Sequence, residues 1–350
     1  MSISAPNGRP RLVVIGASAG GVPALTELVG ALAPELAAAV LIVLHLPPNS
    51  RSMLPQILER AGHLPAAQPR DGEPLVTGQI AVAPPDHHLL VEGSRLRIVR
   101  GPWDNGHRPS VDALFRSAAY WYGERVVGVI LTGALDDGAA GLAAVEAAGG
   151  TALVQDPRDA EVPDMPEHAL VAVPGASRQT LRDLAKVLND LGGVGKPVVL
   201  EPERRPDVSL SHQAEIAQER GERVTPEAVD MVPAGLSCPD CSGSLFVVPD
   251  ENALRFRCRV GHGWTGAALF ASHGRSLEHA IWAAIRVLED NQALDDRIAS
   301  RASRKKRSAV LRDLERRKEE RGRLIAELKS AIAEFAETTG QVSELRDGLT

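Results

Sequence analysis

Residues Leu12–Ile15 form an unbroken apolar run that leads into Gly16-Ala17-Ser18-Ala19-Gly20, and Leu25, Leu28 and Val29 follow at helical spacing. A short buried strand, a serine bracketed by glycines and a helix make a strand–turn–helix unit. That unit restricts the N-terminal part of the chain to α/β arrangements in which strand ends meet helix beginnings. The glycines permit the strained dihedrals of such a turn, and the helix start behind it offers free N–H groups and a positive dipole end. This is how an acyl-transfer nucleophile is presented. Glycine-rich turns of this kind also bind phosphate or simply pack, so Ser18 needs partners before it carries chemistry.

Two further apolar runs supply them. Val40–Leu44 ends in His45, and Val126–Leu131 leads into a glycine-rich turn holding Asp136 and Asp137. In an open parallel sheet the carboxyl ends of the strands share the edge where ligands bind. Ser18, His45 and one of the two aspartates are therefore expected together, as nucleophile, base and orienting carboxylate. Taken singly, each has a plainer reading. His45 could be a packed strand-end histidine, and either aspartate could cap the helix expected from Gly141 to Ala148. The order is Ser, His, Asp, with His45 only 27 residues after Ser18. An ordinary α/β-hydrolase runs Ser, Asp, His, so that fold is excluded. The pattern G-x-x-x-G-G also departs from the dinucleotide fingerprint, and no acidic ribose ligand is evident near His45.

G-A-S-A-G-G after the first strand, V-L-H-L-P after the second, H-R-P-S-V-D-A-L-F-R-S-A-A at 107–119 and L-T-G-A-L-D-D-G-A-A-G at 131–141 resemble the catalytic domain of CheB-type protein-glutamate methylesterases. The resemblance spans about residues 9–190 and extends to A-P-P-D-H-H-L at 83–89 and, loosely, to Glu161–Pro166. It implies Ser18 as nucleophile, His45 as base and Asp137, immediately before Gly138, as the orienting carboxylate. It also implies hydrolysis of glutamyl methyl esters on chemoreceptor-like helical proteins, with glutamine deamidation as a related activity and no catalytic cofactor. Family members resemble L-T-G-M-G-x-D-G at the third motif, where this chain has Ala134 and Leu135, and often carry threonine where it has Ala19. Those differences favour a second reading, an idle domain that binds receptors. Backbone N–H groups of Ala19 and Gly20 are the expected oxyanion donors. His87 and His88 are expected in a turn at the rim, Arg108 in an ion pair, and Ser110 as the cap of a helix through Val111, Leu114 and Phe115.

The chain has 350 residues, which suggests two or three domains. No apolar run reaches the ~18 residues of a membrane span. The N-terminus, with Pro6, Asn7, Gly8 and Pro10, lacks a signal peptide's apolar core, so a cytoplasmic location is expected. The net charge of −6 gives no electrostatic reason for binding nucleic acid or a membrane surface. Only eleven residues precede the first strand, too few for the N-terminal receiver domain that many such methylesterases carry. Control is then expected from the C-terminal half or a partner.

The expected organisation is a doubly wound α/β sheet in three layers (αβα) at 9–190, a linker at 191–233 with a short helix near Ala214 to Arg220, a ribbon module at 234–275 and a helical hairpin or coiled coil at 276–340. All three cysteines fall in the module, as Cys238-x-x-Cys241 and, after sixteen intervening residues, Cys258-x-x-x-His262. This spacing suits a closed Cys₃His zinc site flanking a hairpin of Ser244 to Val248 and Leu254 to Arg257, turned at Pro249 to Asn252. Reduced thiols without metal, and an oxidised Cys238–Cys241 pair, are the other readings. Helical spacing then runs from Leu277 to Ile298 and from Leu311 to Phe335, around a basic patch at Arg304-Lys305-Lys306-Arg307 read as a solvated turn. Signalling partners are expected to dock on this C-terminal region.

Overall fold

The computed structural model describes residues 10–50, 52–202, 231–248, 254–304 and 308–341. The helix expected near Ala214 to Arg220, the turn at Pro249 to Asn252 and most of the basic patch lie outside them. The chain forms two compact units, residues 1–269 and 270–350.

The first unit is built on β1 (Arg11–Ala17), β2 (Ala38–Leu44), β3 (Ala66–Ala67), β4 (Ile80–Val82), β7 (Val126–Ile130), β8 (Thr151–Gln155) and β9 (Ser177–Gln179). They pair in parallel, in the order β3-β4-β2-β1-β7-β8-β9. Between β4 and β7 lie an antiparallel hairpin, β5 (His88–Glu92) and β6 (Arg95–Val99), and the helix α3 (Val111–Tyr122). The other helices are α1 (Gly21–Gly30), α2 (Leu54–Ala61), α4 (Ala139–Ala147), α5 (Asp164–Ala172) and α6 (Leu181–Gly192).

Sequence alternation sorts these helices into two outer layers. Val13 and Ile15 of β1 join one buried cluster with Leu25, Leu28 and Leu58 and with Leu184 and Leu188. Leu12 and Val14 join another with Leu114, Phe115, Leu142 and Met165. Both faces of β1 are therefore covered, which is why its sequence is continuously apolar rather than alternating. The chain winds outward from β1 through β2 and β4, then returns to β7 on the other side of β1. The reversal lies between β1 and β7, and a crevice at the carboxyl end of such a pair is the usual ligand site of an open α/β sheet.

The expected linker begins as part of this domain. Val199 pairs with Val76 and Val194 with Leu36. Leu200 is buried, and its N–H donates to Leu75 O at 2.7 Å. The mixed polar sequence there hides a strap whose hydrogen bonds are its main anchor. α4 starts at Ala139 and is capped by Gly138, so neither Asp136 nor Asp137 caps this helix through its side chain.

A four-stranded antiparallel sheet completes the first unit: β10 (Val232–Ser237), β11 (Ser244–Val248), β12 (Arg255–Cys258) and β13 (Gly263–Thr265). The helix that follows, α7 (Gly266–Arg304), begins ten residues earlier than the expected Ser276. Its first turns continue from β13, with Ala268 and Leu269 buried beside Trp264 and Cys258, so burial rather than surface periodicity sets its start.

In the second unit, α7 pairs with α8 (Ser308–Gln341) as an antiparallel hairpin. Asp295 meets Arg321, Asp296 meets Lys318 and Glu289 meets Lys329, so residue numbers fall along one helix as they rise along the other. Ile285, Leu314 and Ile325 are buried, whereas Leu277, Trp282, Val287 and Leu294 are exposed. Among the described residues no helix is long and apolar enough to cross a membrane.

The buried Tyr122 hydroxyl lies 2.7 Å from Leu200 O and 2.9 Å from Gly93 O. Tyr122→Phe strands a buried carbonyl and should lower the unfolding free energy by about 1–2 kcal/mol in a urea titration. Unchanged stability would mean that the strap is not anchored by this hydroxyl.

Candidate active site

β1 and β2 set the first two side chains. Ala17 pairs with Leu44 at the ends of the strands, so Ser18 and His45 leave the sheet at the same height on adjacent strands. The His45 N–H donates to Ala17 O at 3.2 Å and the Ser18 N–H to Thr132 O at 3.0 Å, tying the serine turn to the ends of both flanking strands. Gly20 caps α1 with φ of 72°, a left-handed conformation costly for other residues. A β-carbon there would also lie within 3.0 Å of Glu161 and Thr132 side-chain atoms. The Thr132 hydroxyl accepts from Val162 N–H at 2.8 Å and lies 3.0 Å from Ala19 O, pinning the serine turn to the segment before α5.

Asp137 is the carboxylate that reaches His45. His45 Nε2 donates to Asp137 Oδ2 at 2.7 Å. A carboxylate only accepts, so the imidazole proton sits on Nε2 and the Nδ1 lone pair is bare. Nδ1 is buried without a hydrogen-bond partner. The His107 ring stacks on the His45 ring, with centroids 3.7 Å apart and planes within 5°, and so fixes the plane of the imidazole.

Asp137 is itself almost completely buried and meets five donors. Val111 N–H donates to Oδ2 at 2.7 Å, while Ser110 Oγ at 2.9 Å, Asn105 Nδ2 at 3.1 Å and Asp112 N–H at 3.3 Å donate to Oδ1, with His45 the fifth. Two of these are the first amides of α3, a helix start that favours an anion. Burial pushes the Asp137 carboxyl up. The His45 hydrogen bond, the electrostatic attraction of the His45 and His107 rings and the Val111 amide outweigh burial and hold it well below the ordinary range. Asp136 points elsewhere. Burial raises its carboxyl, partly countered by a hydrogen bond with Thr265.

Four residues around Asp137 were not singled out by sequence reasoning for these roles. Asn105 sits at φ of 53° in an Asn-Gly turn, a detectable signal for tight backbone but not for what the amide touches. Ser110 was expected only as a cap. It does accept from Ala113 N–H, and the same hydroxyl donates to Asp137. Asp112 and His107 stood inside the 107–119 motif without a role. His88, expected at the rim, is fully buried instead. Its Nε2 donates to Pro102 O at 2.8 Å and its Nδ1 accepts from Ser110 N–H, which burial supports by lowering its pKa toward the neutral ring. Arg108 makes the expected ion pair, with Asp86 at 2.9 Å through Nε.

Residues 13–198 match the family described as CheB methylesterase. The chain belongs to the CheB methylesterase family. It is 40% identical over 168 residues to protein-glutamate methylesterase/protein-glutamine glutaminase 2 of Caulobacter vibrioides, an alignment covering 47% of this chain and 48% of that protein. It is 38% identical to a putative protein-glutamate methylesterase/protein-glutamine glutaminase of Leptospira interrogans, over 46% of this chain and 83% of the relative. Against several curated relatives, the chain thus spans about half their length. Among solved structures, the CheB methylesterase catalytic domain of Thermotoga maritima superposes with a TM-score of 0.50 at 28% identity, over 52% of this chain and 98% of that one.

In this CheB-family chain the backbone at Leu135 is unusual. Leu135 has φ of 63°. A left-handed leucine costs roughly 1–2 kcal/mol. Two ties hold it: Leu135 N–H donates to Asp164 Oδ2 and Leu135 O accepts from His168 Nδ1.

The four residues of the C-terminal cluster also converge. The ligand atoms of Cys238, Cys241, Cys258 and His262 all lie within 4.8 Å of one another. His262 Nδ1 is 3.6 Å from Cys238 Sγ and 3.5 Å from Cys258 Sγ, and Cys241 Sγ is 3.6 Å from Cys258 Sγ. All three cysteines are free thiols. A tetrahedron of zinc–sulfur bonds near 2.3 Å and zinc–nitrogen bonds near 2.0 Å has edges of about 3.5–3.8 Å, so the donor set fits such an ion.

Asp112 is the neighbour that gives way to Asp137. Burial first, and then the Asp137 charge, push its carboxyl up to about 8. The folded chain thus keeps a proton that the unfolded chain releases above pH 3.8, and stability from this group is full below that value and lost as pH rises through about 8. The unfolding free energy of the parent chain should fall relative to that of Asp112→Asn between about pH 5 and about pH 8, by at most ~1.4 kcal/mol per pH unit. Denaturant titrations across this range that keep a constant difference would contradict the assignment.

Proposed function

We propose that this chain is a serine hydrolase that removes methyl esters from glutamate side chains of chemoreceptor-like helical proteins. The observation that carries the reading is the His45–Asp137 pair. It fixes the imidazole proton on Nε2 and leaves Nδ1 bare, on a residue that follows the strand end paired with the one before Ser18. The names of the relatives support the substrate class.

Ser18 Oγ attacks the ester carbonyl while His45 Nδ1 takes its proton. The resulting imidazolium is stabilised by Asp137, which stays ionised. The oxyanion is met by the N–H groups of Ala19 and Gly20 at the start of α1. Collapse of the tetrahedral adduct returns the proton to methanol and leaves a glutamyl ester on Ser18. Water, deprotonated by His45, then releases the glutamate and restores the serine. A glutamine amide follows the same course with ammonia as leaving group, the activity the relatives' second name denotes. Catalysis itself requires no cofactor.

The Cys238, Cys241, Cys258 and His262 cluster binds a structural zinc ion, whose four protein ligands close the coordination sphere. The enzyme works in the cytoplasm beside membrane receptors and does not bind nucleic acid. The α7–α8 hairpin, with Trp282, Val287 and Leu294 exposed, is where signalling partners dock.

Methanol release from a methylated receptor cytoplasmic fragment tests the reading. The intact chain should release methanol, and Ser18→Ala should lose roughly 10³-fold or more while keeping the parent stability, because Ser18 sits on a turn outside the core. Equal release by both would exclude the serine mechanism, and none by either would favour an idle receptor-binding domain. Elemental analysis should find about one zinc per chain, falling to none on replacing Cys238 and Cys241 with serine. A metal-free native protein would remove the zinc site.

A further inference from the structure

The two short stretches that flank the candidate metal site and the catalytic carboxylate are bonded to each other. Gly263 directly follows the ligand His262 and opens β13. Its N–H donates to Trp103 O at 3.0 Å, and its carbonyl accepts from Asn105 N–H at 2.8 Å. Thr265 N–H then donates to Asn105 Oδ1 at 2.8 Å. These three bonds make β13 a strand added to the loop at 103–105.

Asn105 spans the gap to the triad. Its amide nitrogen donates one proton to Asp137 Oδ1 at 3.1 Å and the other to Asp112 Oδ2 at 2.9 Å. Both amide protons and the amide oxygen are used, so the side chain has one orientation. Asp136 is tied to the same strand through Thr265. Arg255 and Arg257 of β12 are each only 2% exposed, and their charges, with that of Arg116 of α3, hold the buried Asp104 ionised. Buried charges of this kind are tolerated only when their partners are in place. The ribbon is therefore docked through a charged, buried interface.

We propose that metal binding by Cys238, Cys241, Cys258 and His262 completes the catalytic site of this chain. The metal locks β13 against Asn105, and Asn105 acts as a positioning residue that holds Asp137 on His45. Esterase activity then depends on the ribbon and its metal although its ligands belong to a different module from the triad. A small ribbon of four short strands has too little core to hold its shape alone, so β13 keeps its register only while the four ligands are held together. When it is lost, Asn105 loses two of its four bonds, and the side chain that donates to Asp137 is no longer held in one orientation. The regulation inferred here rests on the proposed esterase reading.

The test uses the full chain in three forms: loaded with zinc, stripped by chelation, and carrying Gly263→Ala. A β-carbon at Gly263 would fall 2.1 Å from Asp104 Oδ1, so that variant undocks β13 with all four ligands and the triad intact. The first readout is backbone hydrogen exchange at 101–112 and 136–142. Stripping the metal, or Gly263→Ala, should raise exchange in both segments while 11–17 and 38–44 stay protected. The second is methanol release, where kcat should fall roughly 10- to 100-fold with KM nearly unchanged, the range for losing a hydrogen bond to a charged group. Asn105→Ala should give the same kcat loss with zinc still bound, and Asn105→Gln should not restore it, since the longer side chain cannot keep all three bonds. Stripping that exposes only 236–265, with 101–112 and kcat unchanged, would overturn the proposal. So would a chain that binds no zinc. If the loaded chain releases no methanol, the esterase reading fails, and the exchange data alone decide the coupling: equal protection with and without metal refutes it, metal-dependent protection supports it.

Discussion

One buried carboxylate organises this molecule. Asp137 is almost fully removed from water, which makes its charge expensive, and five donors from three segments repay it. The donors are the start of α3, the Asn-Gly turn before it and the imidazole at the end of β2. Because the anion is satisfied only when all are in place, its charge fixes their mutual positions. The same requirement explains why Asp112, a few ångströms away, holds a proton instead: two ionised carboxylates in one buried pocket repel, and the one with more donors keeps the charge.

From that anchor the chemistry follows by geometry. The sheet delivers Ser18 and His45 to the same height on neighbouring strands, and Asp137 turns the imidazole so that its basic nitrogen is the unpartnered one. His107 stacks on the ring and leaves it one plane. Neither the sheet nor the serine turn alone would distinguish this arrangement from a packed strand-end histidine beside a glycine loop. The buried carboxylate bonded to the imidazole is what favours the catalytic reading.

Much of this was legible in the sequence because it follows short-range rules. Strands buried on both faces read as unbroken apolar runs, and Leu12–Ile15, Val40–Leu44 and Val126–Leu131 did so. Side chains at strand ends inherit their place from the sheet, so Ser18, His45 and the paired aspartates could be put on one edge. The cysteine spacing likewise foretold which four side chains would meet. What stayed hidden depends on contacts between segments far apart in the chain. Nothing local shows that Asn105 bonds to Thr265, 160 residues on, or that the polar stretch after Leu191 is a strap held at Leu200 by Tyr122. His88 looked like a turn residue because its neighbours are turn residues, and only the packing of Pro102 and Ser110 around it shows it to be buried.

The proposed function stands or falls on the activation of Ser18 through His45 and Asp137. A fluorophosphonate probe tests it without any assumption about receptor or regulator, by peptide mass and by labelling rate. The account predicts a single adduct on the peptide holding Ser18 and a rate at least about 10²-fold slower in Asp137→Asn, which would favour the wrong imidazole tautomer. An adduct on another residue, or equal rates in the two proteins, would contradict it.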